Sequence, residues 1–255
     1  MQKGAESKPI RNPHSQNRPG IEKKMQPLPV SDRPSERGSG KLEGKVALIT
    51  GGDTGIGKAV AILFAKEEAD VAIMYLNKQV DAEDTVEQVE HYGKKCLLIP
   101  GDISKEKNCI KGFSKAIKAF GKIDILVNSA ALHYESKSLL AIINTTSVTA
   151  YRGSSTLLDY ASSKSAIVSF IRSLSANLIE KQIRVNAVAP GPIWTPLIAA
   201  SFKPQKVAKH GSDVPMKRAG EPAEVAPAYL FLASNDASYI TGQVILPNGG
   251  EIVNG

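Results

Sequence analysis

Cysteine is scarce: the 255-residue chain has two, Cys96 in an apolar run and Cys109 in a polar one. Two thiols so placed form neither a disulfide framework nor a metal-ligand set, which agrees with a reducing compartment. Neither is expected to be a nucleophile, and no metal is expected. Long hydrophobic runs are lacking too. No stretch approaches the roughly eighteen apolar residues a membrane helix needs, and the first residues, MQKGAESKPIRNPHSQ, hold no apolar segment of signal-peptide type. A cytoplasmic protein without membrane contact is the expectation. Internal repeats and low-complexity blocks are also missing. What is present, 42% hydrophobic and 22% charged residues, suits a large globular domain and excludes a fibrous or wholly disordered chain.

The formal net charge is +7, but residues 1–40 carry eight Lys/Arg against four Asp/Glu and so hold more than half of it. The same forty residues have six prolines, four glycines and no hydrophobic periodicity, too little apolar surface to repay the entropy of ordering. They read as a disordered or surface-hugging tail ahead of a domain at 41–255. Their charges are scattered and lack interleaved aromatics, so a nucleic-acid-binding arm is not favoured.

From Lys45 the pattern changes to short apolar runs alternating with amphipathic segments, the form of a parallel sheet covered by helices on both faces. Seven strands are predicted, at 45–50, 70–75, 95–100, 123–128, 139–147, 183–190 and 242–248. Helical patterns fall at about 55–68, 80–92, 105–120, 160–180 and 222–233. The fold class is α/β, a doubly wound, Rossmann-like parallel sheet.

The first strand runs into Thr50-Gly51-Gly52-Asp53-Thr54-Gly55-Ile56-Gly57 and then an apolar helical pattern. A strand, a glycine turn and a helix let backbone N–H groups and a helix N-terminus approach a pyrophosphate. Asp102 after the third strand is a candidate for the adenine amino group, and Asn128 after the fourth begins a run of small residues suited to close backbone passage beside a ribose. Each is also readable as an ordinary cap or turn. Tyr160 and Lys164, at i and i+4, lie on one face of a long helix, with Ser147 ending the strand before it. An ammonium beside a phenol is expected to lower its pKa from about 10 and fit it for proton transfer.

Together the glycine turn at 50–57, Asn128-Ser129-Ala130-Ala131, Ser147, the Tyr160 to Lys164 motif and Pro190-Gly191-Pro192-Ile193-Trp194-Thr195 resemble the short-chain dehydrogenase/reductase family over residues 41–255. Asn17-Arg18-Pro19-Gly20-Ile21, the segment 190–197 and Val214-Pro215-Met216-Lys217-Arg218 look like its tail-bearing bacterial stress-type oxidoreductases, similar to glucose and ribitol dehydrogenase homologues. The resemblance implies hydride transfer between a nicotinamide cofactor and a small alcohol or carbonyl compound: a sugar, a polyol, or an aldehyde or ketone. It implies Ser147 as the orienting hydroxyl, Tyr160 as acid/base, and Lys164 as the ribose-holding residue that tunes it. Implied cofactor contacts are Gly51, Gly55, Ile56, Gly57, Asp102, Asn128, Pro190, Ile193 and Thr195, besides Tyr160 and Lys164. The loop from Leu197 to Pro215 would cover the substrate, and a homo-oligomer would be the usual assembly. No acidic residue ends the second strand at Met74-Tyr75-Leu76-Asn77-Lys78, and Lys58 and Lys78 could meet a 2′-phosphate, so NADP is favoured over NAD.

One interval departs from the family. About ten residues separate Asn128 from the fifth strand, where a right-handed crossover usually needs a dozen or more and carries a helix. The crossover helix therefore reads as shortened or missing, and with it the family's catalytic Asn and part of its oligomer interface. His133 there reads as a solvated loop residue. An alternative stands beside the working reductase: a catalytically impaired, nucleotide-binding deletion variant with one sheet face uncovered.

Overall fold

A computed structural model describes residues 9–17, 20–129 and 140–253. In chain order the elements are β1 (Val46–Thr50), α1 (Gly55–Lys66), β2 (Asp70–Tyr75), α2 (Gln79–His91), β3 (Cys96–Pro100), α3 (Glu106–Phe120), β4 (Ile125–Asn128) and β5 (Ala141–Thr145). They continue as α4 (Thr149–Arg152), α5 (Leu158–Leu178), β6 (Arg184–Val188), α6 (Pro196–Ser201), α7 (Pro204–Ala208), α8 (Pro222–Ala233) and β7 (Val244–Ile245). The seven strands form one sheet in the order β3-β2-β1-β4-β5-β6-β7, every pair parallel.

Strands β1, β4 and β5 are buried at every position, which is why they read as unbroken apolar runs. Alternation along β1 sends Ala47 and Ile49 to one core and Leu48 to the other. The first core joins Phe64 of α1 and Val225, Tyr229 and Leu232 of α8 to the sheet, and the second joins Ala116 of α3 and Ile171 and Leu178 of α5. Leu48, Leu126 and Ile142 are at most 1% exposed. The expected uncovered sheet face is therefore corrected at these positions, where α3 and α5 side chains pack. The missing-helix reading itself, with His133, falls on residues 130–139 and lies outside the described residues.

Helix ends follow local chemistry. Gly121 closes α3 in the left-handed region, its N–H donating to the Ile117 carbonyl. Reciprocal Glu221 and Glu224 bonds with Pro222 at the first position start α8, and the Arg184 guanidinium donates to the carbonyls of Leu232, Ala233 and Ser234 at its end.

Residues 20–40 lie against the sheet domain, the surface-hugging alternative for this tail, and bury more apolar surface than their composition suggests. Met25 is 1% exposed in a third cluster with Trp194, Ala199, Val207 and Ala219. Composition misleads here because the segment is held mainly by polar ties to the domain. The Trp194 indole N–H donates to the Pro27 carbonyl (2.8 Å), Ala223 N–H donates to the Val30 carbonyl (2.9 Å), and Asp32 accepts from Lys66 (2.7 Å). Ser39 and Lys41 N–H groups donate to Glu67.

Candidate active site

The register of the sheet brings the chemistry to one edge. Thr50 of β1 is level with Asn128 of β4, Asn128 with Asn144 of β5, and Asn144 with Ala187 of β6. The glycine turn, Ser147 and Pro190 follow the ends of these strands, the edge where parallel sheets bind ligands.

Gly51 turns the chain at φ 68°, its N–H donating to the Met74 carbonyl (2.7 Å). A Cβ on Gly57 would lie 2.0 Å from the Gly51 carbonyl oxygen, so only glycine lets α1 start this close to the turn. In the first turn of α1, Gly55 N–H donates to Glu22 Oε2 (2.7 Å) and Lys58 N–H to the Thr54 carbonyl, while Ile56 and Gly57 N–H groups have no acceptor among the described residues. Thr195 stands over this turn: a Cβ on Gly55 would be 3.1 Å from its Cγ2. The Pro190 to Thr195 loop is fixed by Gly191 N–H to the Pro247 carbonyl and by Trp194 and Gly220 bonds, with Ile193 buried.

On the other side of the edge, α5 is tied to β5. Lys164 Nζ donates to the Thr145 carbonyl (3.1 Å) and the Thr146 hydroxyl donates to the Lys164 carbonyl (2.7 Å). Tyr160 is 38% exposed, Lys164 Nζ is 5.6 Å from its ring centroid, and Ser147 is near enough to act on its phenol. The expected depression of the phenol by Lys164 is corrected. Burial holds Tyr160 above its ordinary value, with Ser147 pulling it down, and burial lowers Lys164. The ammonium points at a backbone carbonyl and lies over the ring, so desolvation outweighs its charge.

The structure places the other candidate residues as follows. Asp102 accepts from Ser104 N–H (2.9 Å), the cap reading that had stood beside the adenine one, and this holds its carboxyl below the usual range. Asn128 Nδ2 donates to Asn144 Oδ1 (3.1 Å), a buried pair that period-two patterning gave no reason to single out. Lys58 is not free for a phosphate. Its Nζ is paired with Glu22 (2.7 Å) and Asp84, which outweigh the effect of burial and raise its pKa. In the 197–215 loop, Ser212 and Val207 are buried, and burial pushes His210 down to about 4 against the opposing pull of the Ile193 backbone and Asp213. Cys96 is pushed up to about 12 by burial, which leaves it protonated.

Asp53, inside the glycine turn, is pushed up to about 6, chiefly by burial and further by Asp81 and Glu22, against its own backbone and Lys78. The folded value lies above the ordinary 3.8, so between those two values the folded state holds more protons than the unfolded one, and stability falls as pH rises through that window. Asp53→Asn is expected to flatten this slope and to add about 1 kcal/mol at pH 7, or roughly 2–4 °C in melting temperature. Thermal melts from pH 4 to 7 check it; an unchanged slope would contradict it.

Comparison with known proteins agrees with this geometry. A short chain dehydrogenase family model matches residues 45–141 and an enoyl-(acyl carrier protein) reductase family model residues 136–251. General stress protein 39 of Bacillus subtilis is 45% identical over 268 aligned positions, covering 92% of this chain and 94% of that protein. NADPH-dependent aldehyde reductase 1, chloroplastic, of Arabidopsis thaliana is 46% identical over 276 positions, covering 92% and 96%. Glucose and ribitol dehydrogenase of Daucus carota is 44% identical over 279 positions, covering 94% and 96%. Each alignment has more positions than this chain has residues, and the two family models meet at 136–141, in the interval that the sequence shows to be short. A short chain dehydrogenase from Burkholderia cenocepacia, solved in complex with NADP, superposes with a TM-score of 0.74 at 27% identity, covering 82% of this chain and 98% of that one. By sequence across nine-tenths of its length and by fold, the chain belongs to the short-chain dehydrogenase family.

Proposed function

We propose that the protein is a nicotinamide-dependent oxidoreductase that interconverts an alcohol and a carbonyl group on a small sugar, polyol, aldehyde or ketone. The observation that carries this reading is Tyr160, with Ser147 beside it and Lys164 over its ring, at the strand edge that also holds the glycine turn. The names of the aldehyde reductase and of the glucose and ribitol dehydrogenase support the substrate class.

The residues suit a dinucleotide. Ile56 and Gly57 would offer N–H groups to its pyrophosphate at the positive end of α1, the bare Gly57 leaves room for close approach, and Ile193 and Thr195 would meet the carboxamide. A nicotinamide held there would supply the hydride to the substrate carbon in reduction and take it up in oxidation. Tyr160 gives its phenolic proton to the carbonyl oxygen in reduction and takes the hydroxyl proton in oxidation. Ser147 donates to the same oxygen and orients it. Lys164 would hold the ribose, bringing its charge nearer to the phenol oxygen. This reading is preferred to an impaired deletion variant, since the three residues stand together and Leu48, Leu126 and Ile142 are covered.

NADP is preferred over NAD in this proposal. The end of β2 carries no acid, Lys78 remains the cation near the turn, and the NADP-bound neighbour and the NADPH-dependent relative point the same way. With Lys58 committed to Glu22 and Asp84, Lys78 is the one of these two lysines left to make the discrimination. Calorimetric titration is expected to give a lower Kd for NADPH than for NADH. A tenfold preference for NADH, about 1.4 kcal/mol in the other direction, would overturn it.

A further inference from the structure

Glu22 lies 33 residues before Gly55, in the segment read as a tail, yet it reaches the first turn of α1. It is 5% exposed, and its two oxygens are divided between Gly55 N–H and Lys58 Nζ, each at 2.7 Å. Three to five residues on, the same segment grips the opposite wall of the cleft. Met25 is buried with Trp194 and Ala199, and the Pro27 carbonyl accepts the Trp194 indole N–H. On its other side Gly20 passes so close to α6 that a Cβ there would lie 2.3 Å from the Pro196 carbonyl oxygen.

We infer that residues 20–27 are a strap across the two walls of the nucleotide cleft and that Glu22 is a positioning residue of the glycine turn. It acts through Gly55 N–H and Lys58. The inference rests on the nucleotide reading above. A turn built from glycines has few side chains to hold its shape, and Gly51 and Gly55 both sit at positive φ. A carboxylate at the positive end of α1, paired with a buried ammonium, supplies that hold. Taking Gly55 N–H also fixes the direction of the neighbouring Ile56 and Gly57 N–H groups. Without Glu22, Gly55 loses its acceptor and Lys58 keeps a single carboxylate partner, so the turn can relax away from the geometry a pyrophosphate needs.

The test uses the full chain with Glu22→Ala, Glu22→Gln and, as a control, Asp32→Asn, which cuts the segment's tie to Lys66 and Tyr92 instead. Calorimetry with NADPH and with ADP-ribose reads both Kd and stoichiometry. Glu22→Ala is expected to raise both Kd values tenfold or more at unchanged stoichiometry, with Glu22→Gln between it and wild type because an amide oxygen still accepts from Gly55. Asp32→Asn is expected to lower the melting temperature and leave Kd within twofold. A merely structural role would lower the stoichiometry, by loss of folded protein, and leave Kd unmoved. That result, or equal Kd changes in the Glu22 and Asp32 variants, overturns the inference. If Glu22→Ala does not fold, Glu22→Gln within twofold of wild type overturns it equally. Wild-type protein that binds neither probe overturns the proposed function and takes this inference with it, whereas binding by wild type beside an unaffected Glu22 variant overturns this inference alone.

Discussion

Tyr160→Phe is expected to lower kcat by about 10²- to 10⁴-fold, the range that a positioned acid/base contributes, while leaving nucleotide Kd within a few fold. The substitution removes one oxygen. It keeps the ring that Lys164 overlies, and neither the Lys164 to Thr145 bond nor the Thr146 to Lys164 bond involves the phenol, so α5 stays in place. Ser147 also remains, able to orient a carbonyl but without a proton to give in step with hydride arrival. Burial keeps the free phenol above its ordinary value, which makes it a poor base and a protected acid until a cation draws near its oxygen. Lys164→Ala is the companion: it should weaken both binding and turnover. More than about a tenth of wild-type rate in Tyr160→Phe would remove Tyr160 from the acid/base role.

Trp194→Ala is expected to cost about 3–5 kcal/mol, the usual range for deleting a buried aromatic. Trp194 is fully buried and is the largest such side chain in the protein. Its ring packs with Met25, Ala199, Val207 and Ala219, the Arg11 guanidinium lies 4.3 Å from its centroid, and its indole N–H satisfies the Pro27 carbonyl. Alanine would leave a cavity and an unpaired carbonyl together. In a chain of this length the loss corresponds to roughly 10 °C in melting temperature. Trp194→Phe should recover the packing and lose the hydrogen bond, costing about 1–2 kcal/mol. Urea denaturation measures both; a loss below about 1 kcal/mol for alanine would mean that the N-terminal segment does not pack on this loop in solution.

What was legible in the sequence is what is local. The glycine turn announces itself between an apolar strand and an amphipathic helix, and Tyr160 and Lys164 share a face because they are four apart. The parallel, doubly wound sheet follows from the alternation of runs, and the observed strands lie inside the predicted ones, shorter where the pairing stops: 242–248 reads as a strand, but only Val244 and Ile245 pair with β6. The short helices α4, α6 and α7 escaped because four to six residues carry too little periodicity. Long-range polar pairing was illegible. Glu22 with Gly55, Asn128 with Asn144, and Lys58 with Asp84 join residues 16 to 33 positions apart, and nothing in the spacing of charges marks which carboxylate a lysine will meet. Lys58 illustrates the cost: the sequence offers it as a residue that could meet a 2′-phosphate, and in the fold it is already paired with Glu22 and Asp84.

The most direct test of the account is deuteride transfer. Purified full-length protein is incubated with NADPH carrying deuterium at the reactive nicotinamide carbon and a panel of small aldehydes, ketones and aldoses, and products are weighed by mass spectrometry. The account predicts an alcohol one mass unit heavier from at least one member of the panel, formed by wild type and not by Tyr160→Phe. Saturated nucleotide binding with no deuterium in any product, or equal transfer by Tyr160→Phe, would contradict it.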